Sequence, residues 1–238
     1  MQPAAAALRP PLQGLTRMLS ADAIVALHDR LTRDWHASPG EAARHTAEAG
    51  PVILAANETA GEAAPEWLDA VARQHRANFE LWHIEDEARA PDATDAEVAR
   101  VKRRVDVTNQ RRSDLAEELD RALLGWLATQ GLPNPEAELN SEPPGLIIDR
   151  LSILALKIYH TREEAGRGDA PAGHAERNRE RLAILEQQRA DLAGCLDDLW
   201  RQTLAGTRRF KLYRQLKMYN DPSLNPAVYR RNRMESGG

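Results

Sequence analysis

The chain has 238 residues, of which 29% are charged and 5% aromatic, and a formal net charge of −4. That length can bury the core of one large domain, and a composition led by Ala, Leu, Arg and Glu favours helix over sheet. Cys195 is the one cysteine, which excludes a disulfide framework or cysteine metal cluster and makes a reducing cytoplasm the default compartment.

Residues 1–19 read as a flexible Ala/Pro leader without the basic n-region and unbroken apolar run of a signal peptide. Residues 20–206 read as a helical bundle domain and 207–238 as a basic C-terminal segment. Ser20 or Asp22 can cap a first helix whose Ile24, Leu27, Leu31 and Trp35 share one face. Loop follows through Gly61, holding an apolar patch, Val52-Ile53-Leu54, that pairs with no recognisable element. Pro65 suits the first turn of a second helix running to about Ala90, before Pro91. Asp92 to Asp95 can cap a third, from about Ala96 to Thr129, which stops at Gly131 and Pro133.

A proline-rich crossing leads into a central helix within 140–160, NSEPPGLIIDRLSILALKIYH, apolar almost all round. Such a helix belongs in the interior, but its apolar run over 146–159 is too short and too charged to span a bilayer. After a Gly/Pro turn, a fifth helix over about Ala175–Leu204 carries Leu182, Leu185, Leu192, Leu196 and Leu199 at near-heptad spacing. A short sixth helix is expected over Phe210–Tyr219, and no segment reads as a strand pair with a tight turn. The expected fold is all-α: a single-domain bundle of about six helices, with a near-fully buried central helix and a long heptad-like arm.

Charge is unevenly spread. Residues 207–233 hold eight basic residues against Asp221, a net of +7, which leaves −11 elsewhere. A basic arm on an acidic body suits an anionic partner or docking onto the chain's own acidic surface. Phe210, Tyr213 and Tyr219 are interleaved there, but no nucleic-acid module surrounds them, so nucleic acid is not the expected partner.

At about 100° per residue, Asn78, Trp82, Glu85 and Arg89 form one line in the apolar sector of the second helix, with Asp86 beside it. Arg112 sits mid-face on the third helix, with Asp106 and Asn109 along one edge. On the central helix Asp149 and His160 are nearly eclipsed, and Arg150 and Lys157 form a parallel line. Uncompensated charge in an apolar sector is costly, so these rows are either internal ion pairs that fix register or the lining of a pocket. Glu80-Leu-Trp-His83 matches the Glu-x-x-His of carboxylate-bridged di-iron bundles. No second copy accompanies it, and Glu80, His83 and Glu87 point away from the pocket line.

Four blocks, NFELWHIEDEAR (78–89), DVTNQRRSDLAEELD (106–120), NSEPPGLIIDRLSILALKIYH (140–160) and KLYRQLKMYNDPSLNP (211–226), resemble an uncharacterised bacterial family, domain of unknown function 4254. The resemblance covers roughly residues 20–230 and carries no assigned reaction. It implies a setting near glycosyltransferases of surface polysaccharide, and hence a possible glycosyltransferase partner. A more distant likeness is to the all-helical nucleoside triphosphate pyrophosphatases, which hold magnesium on Glu-x-x-Glu and Glu-x-x-Asp. Glu85-Asp86 and Asp106-x-x-Asn109 echo that arrangement, although the full motif is absent.

The functional expectation is an interhelical pocket for a phosphorylated small molecule, a nucleotide or nucleotide-sugar. Glu85, Asp86 and Asp106 are the expected catalytic carboxylates, with Glu85 and Asp106 holding a metal such as Mg2+. The expected ligand-binding residues are Asn78, Trp82, Arg89, Asn109, Arg112, Asp149, Arg150, Lys157, His160, Lys217 and Asn220, the cations among them meeting phosphate. The rival expectation is a non-catalytic accessory, homodimeric or bound to a glycosyltransferase, whose buried charges are structural.

Overall fold

The structure is a computed structural model and describes residues 19–37, 64–216 and 223–226. The leader before Leu19, the Val52-Ile53-Leu54 patch, Lys217 and Asn220 lie outside the described residues. Within them are five helices: α1 (Ala21–Ala37), α2 (Ala64–Glu87), α3 (Asp95–Thr129), α4 (Pro144–Gly166) and α5 (His174–Leu204). Two residues of β1 (Glu138–Leu139) pair in parallel with two of β2 (Arg208–Arg209). The fold is all-α, and no helix among the described residues is long and apolar enough to cross a membrane.

α4 is the central helix. Ile147, Ile148, Leu151, Ala155, Leu156 and Ile158 are buried. The core that Ile147, Ile148 and Leu151 join includes Leu27 and Leu31 of α1, Leu119, Leu123 and Leu127 of α3, and Leu196, Leu199 and Trp200 of α5. An amphipathic stripe would cover only one side of this helix; neighbours on several sides require the nearly continuous apolar surface that its sequence shows. Arg150 and Lys157 mark its exposed stripe as far as Tyr159. The heptad leucines of α5 divide similarly: Leu192, Leu196 and Leu199 are buried, whereas Leu182 and Leu185 are half-buried beside Ile184, which is 58% exposed.

Local chemistry sets the helix ends. Thr94, rather than the neighbouring aspartates, caps α3 in a reciprocal box with Glu97. α3 closes with Leu132 N–H donating to Leu127 O (2.9 Å) and Gly131 N–H to Ala128 O (3.1 Å). That pattern needs a left-handed residue after the cap, and Gly131 supplies φ 69°. α5 closes the same way through Gly206.

The helix expected over Phe210–Tyr219 does not form in its described part, residues 210–216. The turn at Gly206 instead sends the chain back beside residues 138–139, where Asn140 N–H donates to Arg209 O (2.7 Å). Phe210 then inserts into the core at 1% exposure. Burying that ring is worth roughly 2–3 kcal/mol, more than a few residues of helix propensity, so tertiary contact decides the conformation. Arg208 pairs with Glu138 at 3.3 Å, an instance of the basic segment docking onto the chain's own acidic surface.

α4 begins at Pro143-Pro144-Gly145, which carries no side-chain cap of its own. Asp120 of α3 supplies one: its Oδ1 accepts the Gly145 N–H at 2.6 Å. Burial pushes this carboxyl up to about 7, against the pull of the Gly145 N–H. Between about pH 4 and pH 7 the folded chain therefore holds a proton that the unfolded chain releases, and stability drains away as pH rises through that window. Asp120→Asn keeps the acceptor and removes the ionisation. Its melting temperature minus that of the parent is expected to climb from pH 4 to pH 7 and then level off; a flat difference across a pH series of thermal melts would refute this account.

Candidate functional site

A buried polar network joins four helices beneath the row expected on α2. Asp149 of α4, 5% exposed, receives two bonds from Arg112 of α3, Nε to Oδ1 at 2.8 Å and Nη2 to Oδ2 at 2.6 Å. Gln74 Nε2 (2.5 Å) and Asn78 Nδ2 (2.9 Å) of α2 also donate to Oδ1. Asn78 reaches Ser152 Oγ at 2.9 Å, and Ser152 bonds His75, whose far nitrogen meets Thr32 of α1 at 2.9 Å. Burial drives His75 down to about 3 and keeps it neutral. The bonds to Asp149 raise the Arg112 guanidinium above its ordinary value, so it stays charged. A buried carboxylate needs such a set of donors to offset its lost hydration.

Over this floor opens a cleft of about 360 Å³ between α2, α3 and α4. Asn78, Trp82, Glu85, Asp86, Arg89 and Arg112 line it, together with Leu81, Ile153 and Leu156. Glu85 pairs with Arg89 at 3.1 Å on the rim, and Asp86 lies 4.0 Å from the same guanidinium. Asn109 sits beside Arg112, its Oδ1 accepting Nη1 at 3.3 Å.

The other expected residues fall elsewhere. Asp106 is ion-paired with Lys102 and is not among the residues that line the cleft with Glu85. Arg150 and Lys157 face a separate groove of about 900 Å³ between α4 and α5, with Asp191, Asp198 and Gln202 across it. Arg150 is held there by Glu142 at 2.8 Å. The three cations expected to share one anion are thus split, because Asp149 turns inward and the Arg150–Lys157 line turns toward α5.

Residues 68–212 match the family described as Protein of unknown function (DUF4254). The chain belongs to that family. No curated protein and no solved structure matches it. The matched span takes in most of α2, all of α3, α4 and α5, and hence every described residue of the cleft; α1 precedes it.

This DUF4254 chain also builds a cluster that its sequence does not announce. His36 of α1, His83 of α2 and His160 of α4 each offer a ring nitrogen, all within 4.8 Å of one another. His36 stacks on Tyr159 at 4.2 Å, and His160 stacks on the cleft's Trp82 at 5.0 Å. Burial lowers the His36 imidazole, the Thr32 carbonyl opposing, with His160 and His83 pressing the same way as burial. His160 was expected at the phosphate pocket; its neighbours prove to be two other histidines. On the α2 wheel His83 points away from the Trp82–Glu85 line, and it does, toward α1.

Proposed function

We propose that this DUF4254 member binds a phosphorylated small molecule of nucleotide or nucleotide-sugar size in the α2–α3–α4 cleft. The observation that carries the reading is convergence: Asn78, Trp82, Glu85, Asp86, Arg89 and Arg112 line one cavity of about 360 Å³. Such volumes suit small-molecule sites, and the indole of Trp82 offers a flat wall for a base or sugar face. Arg89 can leave Glu85 for a phosphate at little cost, since exposed ion pairs are worth about 0–1 kcal/mol. Arg112, neutralised by Asp149, adds no net charge, so Glu85 and Asp86 outweigh Arg89. Glu85 and Asp86 would hold a divalent cation such as Mg2+, which would supply the positive charge that a phosphate needs here. Phosphoanhydride hydrolysis is the catalytic form of this reading. Water adds at phosphorus, the bridging oxygen leaves with the second phosphate, and Glu85 or Asp86 takes the water's proton.

The test is a thermal-shift screen of nucleotides, nucleotide-sugars and sugar phosphates with and without Mg2+. A Mg2+-dependent rise in melting temperature with one ligand class is expected, because native-state ligands stabilise by mass action. Glu85→Gln and Arg89→Ala, both at the rim, should abolish the shift and leave the ligand-free melt unchanged. A flat screen, or a shift that survives both substitutions, refutes the reading. Exposed Ile184 beside half-buried Leu185 favours a second reading. In it the first half of α5 docks a protein partner, such as a glycosyltransferase, and the buried charges serve the fold alone.

A further inference from the structure

None of the three histidines lines the cleft, although His160 stacks on its Trp82, and the cluster does not depend on the phosphate reading. His36 Nδ1 lies 2.7 Å from Thr32 O, His83 Nδ1 2.9 Å from Phe79 O, and His160 Nδ1 2.9 Å from Glu163 Oε2. A carbonyl or carboxylate oxygen can only accept, so each Nδ1 carries a proton, and Nε2 is the nitrogen that offers a lone pair when the ring is neutral. The Nε2 atoms of His36 and His160 are buried without a hydrogen-bond partner. Ring packing against Tyr159, Phe79 and Trp82 accounts for where the imidazoles lie. It does not account for two unpartnered Nε2 atoms, from α1 and α4, buried in a cluster that His83 of α2 completes.

We propose that His36, His83 and His160 bind a divalent transition metal ion through Nε2, with Zn2+ as the fitting ion. Neutral imidazoles suit a borderline-soft cation, and their Nδ1–H bonds to two carbonyls and Glu163 are the outer-shell support that metal-bound histidines need. At Zn–N distances of about 2.0–2.1 Å, tetrahedral ligands stand about 3.4 Å apart. The ligand nitrogens, now within 4.8 Å of one another, close on the ion by side-chain rotation. Three protein ligands leave a fourth position for water or another ligand. His160 and Trp82 also line a groove of about 470 Å³ bounded by Thr161, Glu164 and Arg181, which provides an approach.

The test uses the untagged full chain, stripped with chelator and titrated with Zn2+ by calorimetry and with Co2+ by visible absorption. One equivalent per chain and tetrahedral-type Co2+ bands are expected. His36→Gln and His83→Gln should each weaken Zn2+ binding by about 100-fold or more, and Glu163→Gln, acting through His160, by roughly 10–100-fold. His174→Gln, on α5, should bind as the parent does. Glu163 is half exposed, so its variant keeps the test valid if a histidine variant fails to fold. Absence of a stoichiometric site, or parent-like affinity in Glu163→Gln and the folded histidine variants, overturns the proposal. Neither result bears on Mg2+-dependent binding in the cleft, which depends on Glu85 and Arg89.

Discussion

Asp149→Ala is expected to lower unfolding stability by about 3–5 kcal/mol, the usual cost of removing one partner from a buried ion pair. The loss has identifiable parts. Arg112, which is 27% exposed, would keep its charge but lose both of its bonds to a counter-ion. Gln74 and Asn78 would lose the acceptor they share, leaving the buried Gln74 amide without one while Asn78 keeps Ser152. Asp149 is also where α2, α3 and α4 are tied together under the cleft, so the substitution releases the floor that positions Arg112. Urea unfolding of Asp149→Ala, Arg112→Met and the double variant measures the coupling. The double variant should lose less than the sum of the two singles, because the second change removes the charge that the first one strands. Additive losses, or a single-variant loss below about 1 kcal/mol, would mean that water satisfies this network and that it fixes nothing.

Much of this arrangement was legible in the sequence because helical periodicity is local. The Asn78–Trp82–Glu85–Arg89 line falls on one face of α2 whatever the neighbours are, and it does line one cleft. Arg112 amid apolar residues announced a buried partner, which is Asp149. The wheel gives the angle between Asp149 and Arg150 on α4, but not which neighbouring helix each one meets. Arg150 and Lys157 consequently could not be assigned to the α5 groove in advance. His36 and His83 show the same limit. They lie on different helices, and their meeting with His160 depends on how α1 crosses α2 and α4. Glu80-x-x-His83 drew attention only through a motif whose second copy is absent. Its Glu80 is held by Arg76 and Arg111, while the histidine alone joins the cluster. The lack of helix over residues 210–216 has the same origin, since Phe210 gains more from the core than from local hydrogen bonds.

Gly145→Ala is the other large effect, and it reports on how α4 seats against α3. A Cβ at this position would collide with the Ala116 carbonyl oxygen and lie 2.9 Å from the Asp120 carboxyl carbon. Neither neighbour can yield easily. Ala116 O is backbone in the middle of α3, and the Asp120 carboxylate is fixed by accepting the Gly145 N–H. The helices must part at the first turn of α4, opening the core around Ile147 and Ile148 and stretching the one bond that caps α4. Overpacking of this kind costs about 1–3 kcal/mol, and with backbone as the obstacle the loss is expected at or above about 3 kcal/mol. Gly125→Ala is the matched control: it lies within α3, and nothing stands within 4 Å of its Cβ. There the same methyl should stabilise by about 0.5–1 kcal/mol through helix propensity. Opposite signs for the two substitutions in denaturant melts would fix the close approach of α4 to α3 as the cause. Equal small effects would mean that α4 can shift away from Ala116 without loss, and that glycine at 145 serves no packing role.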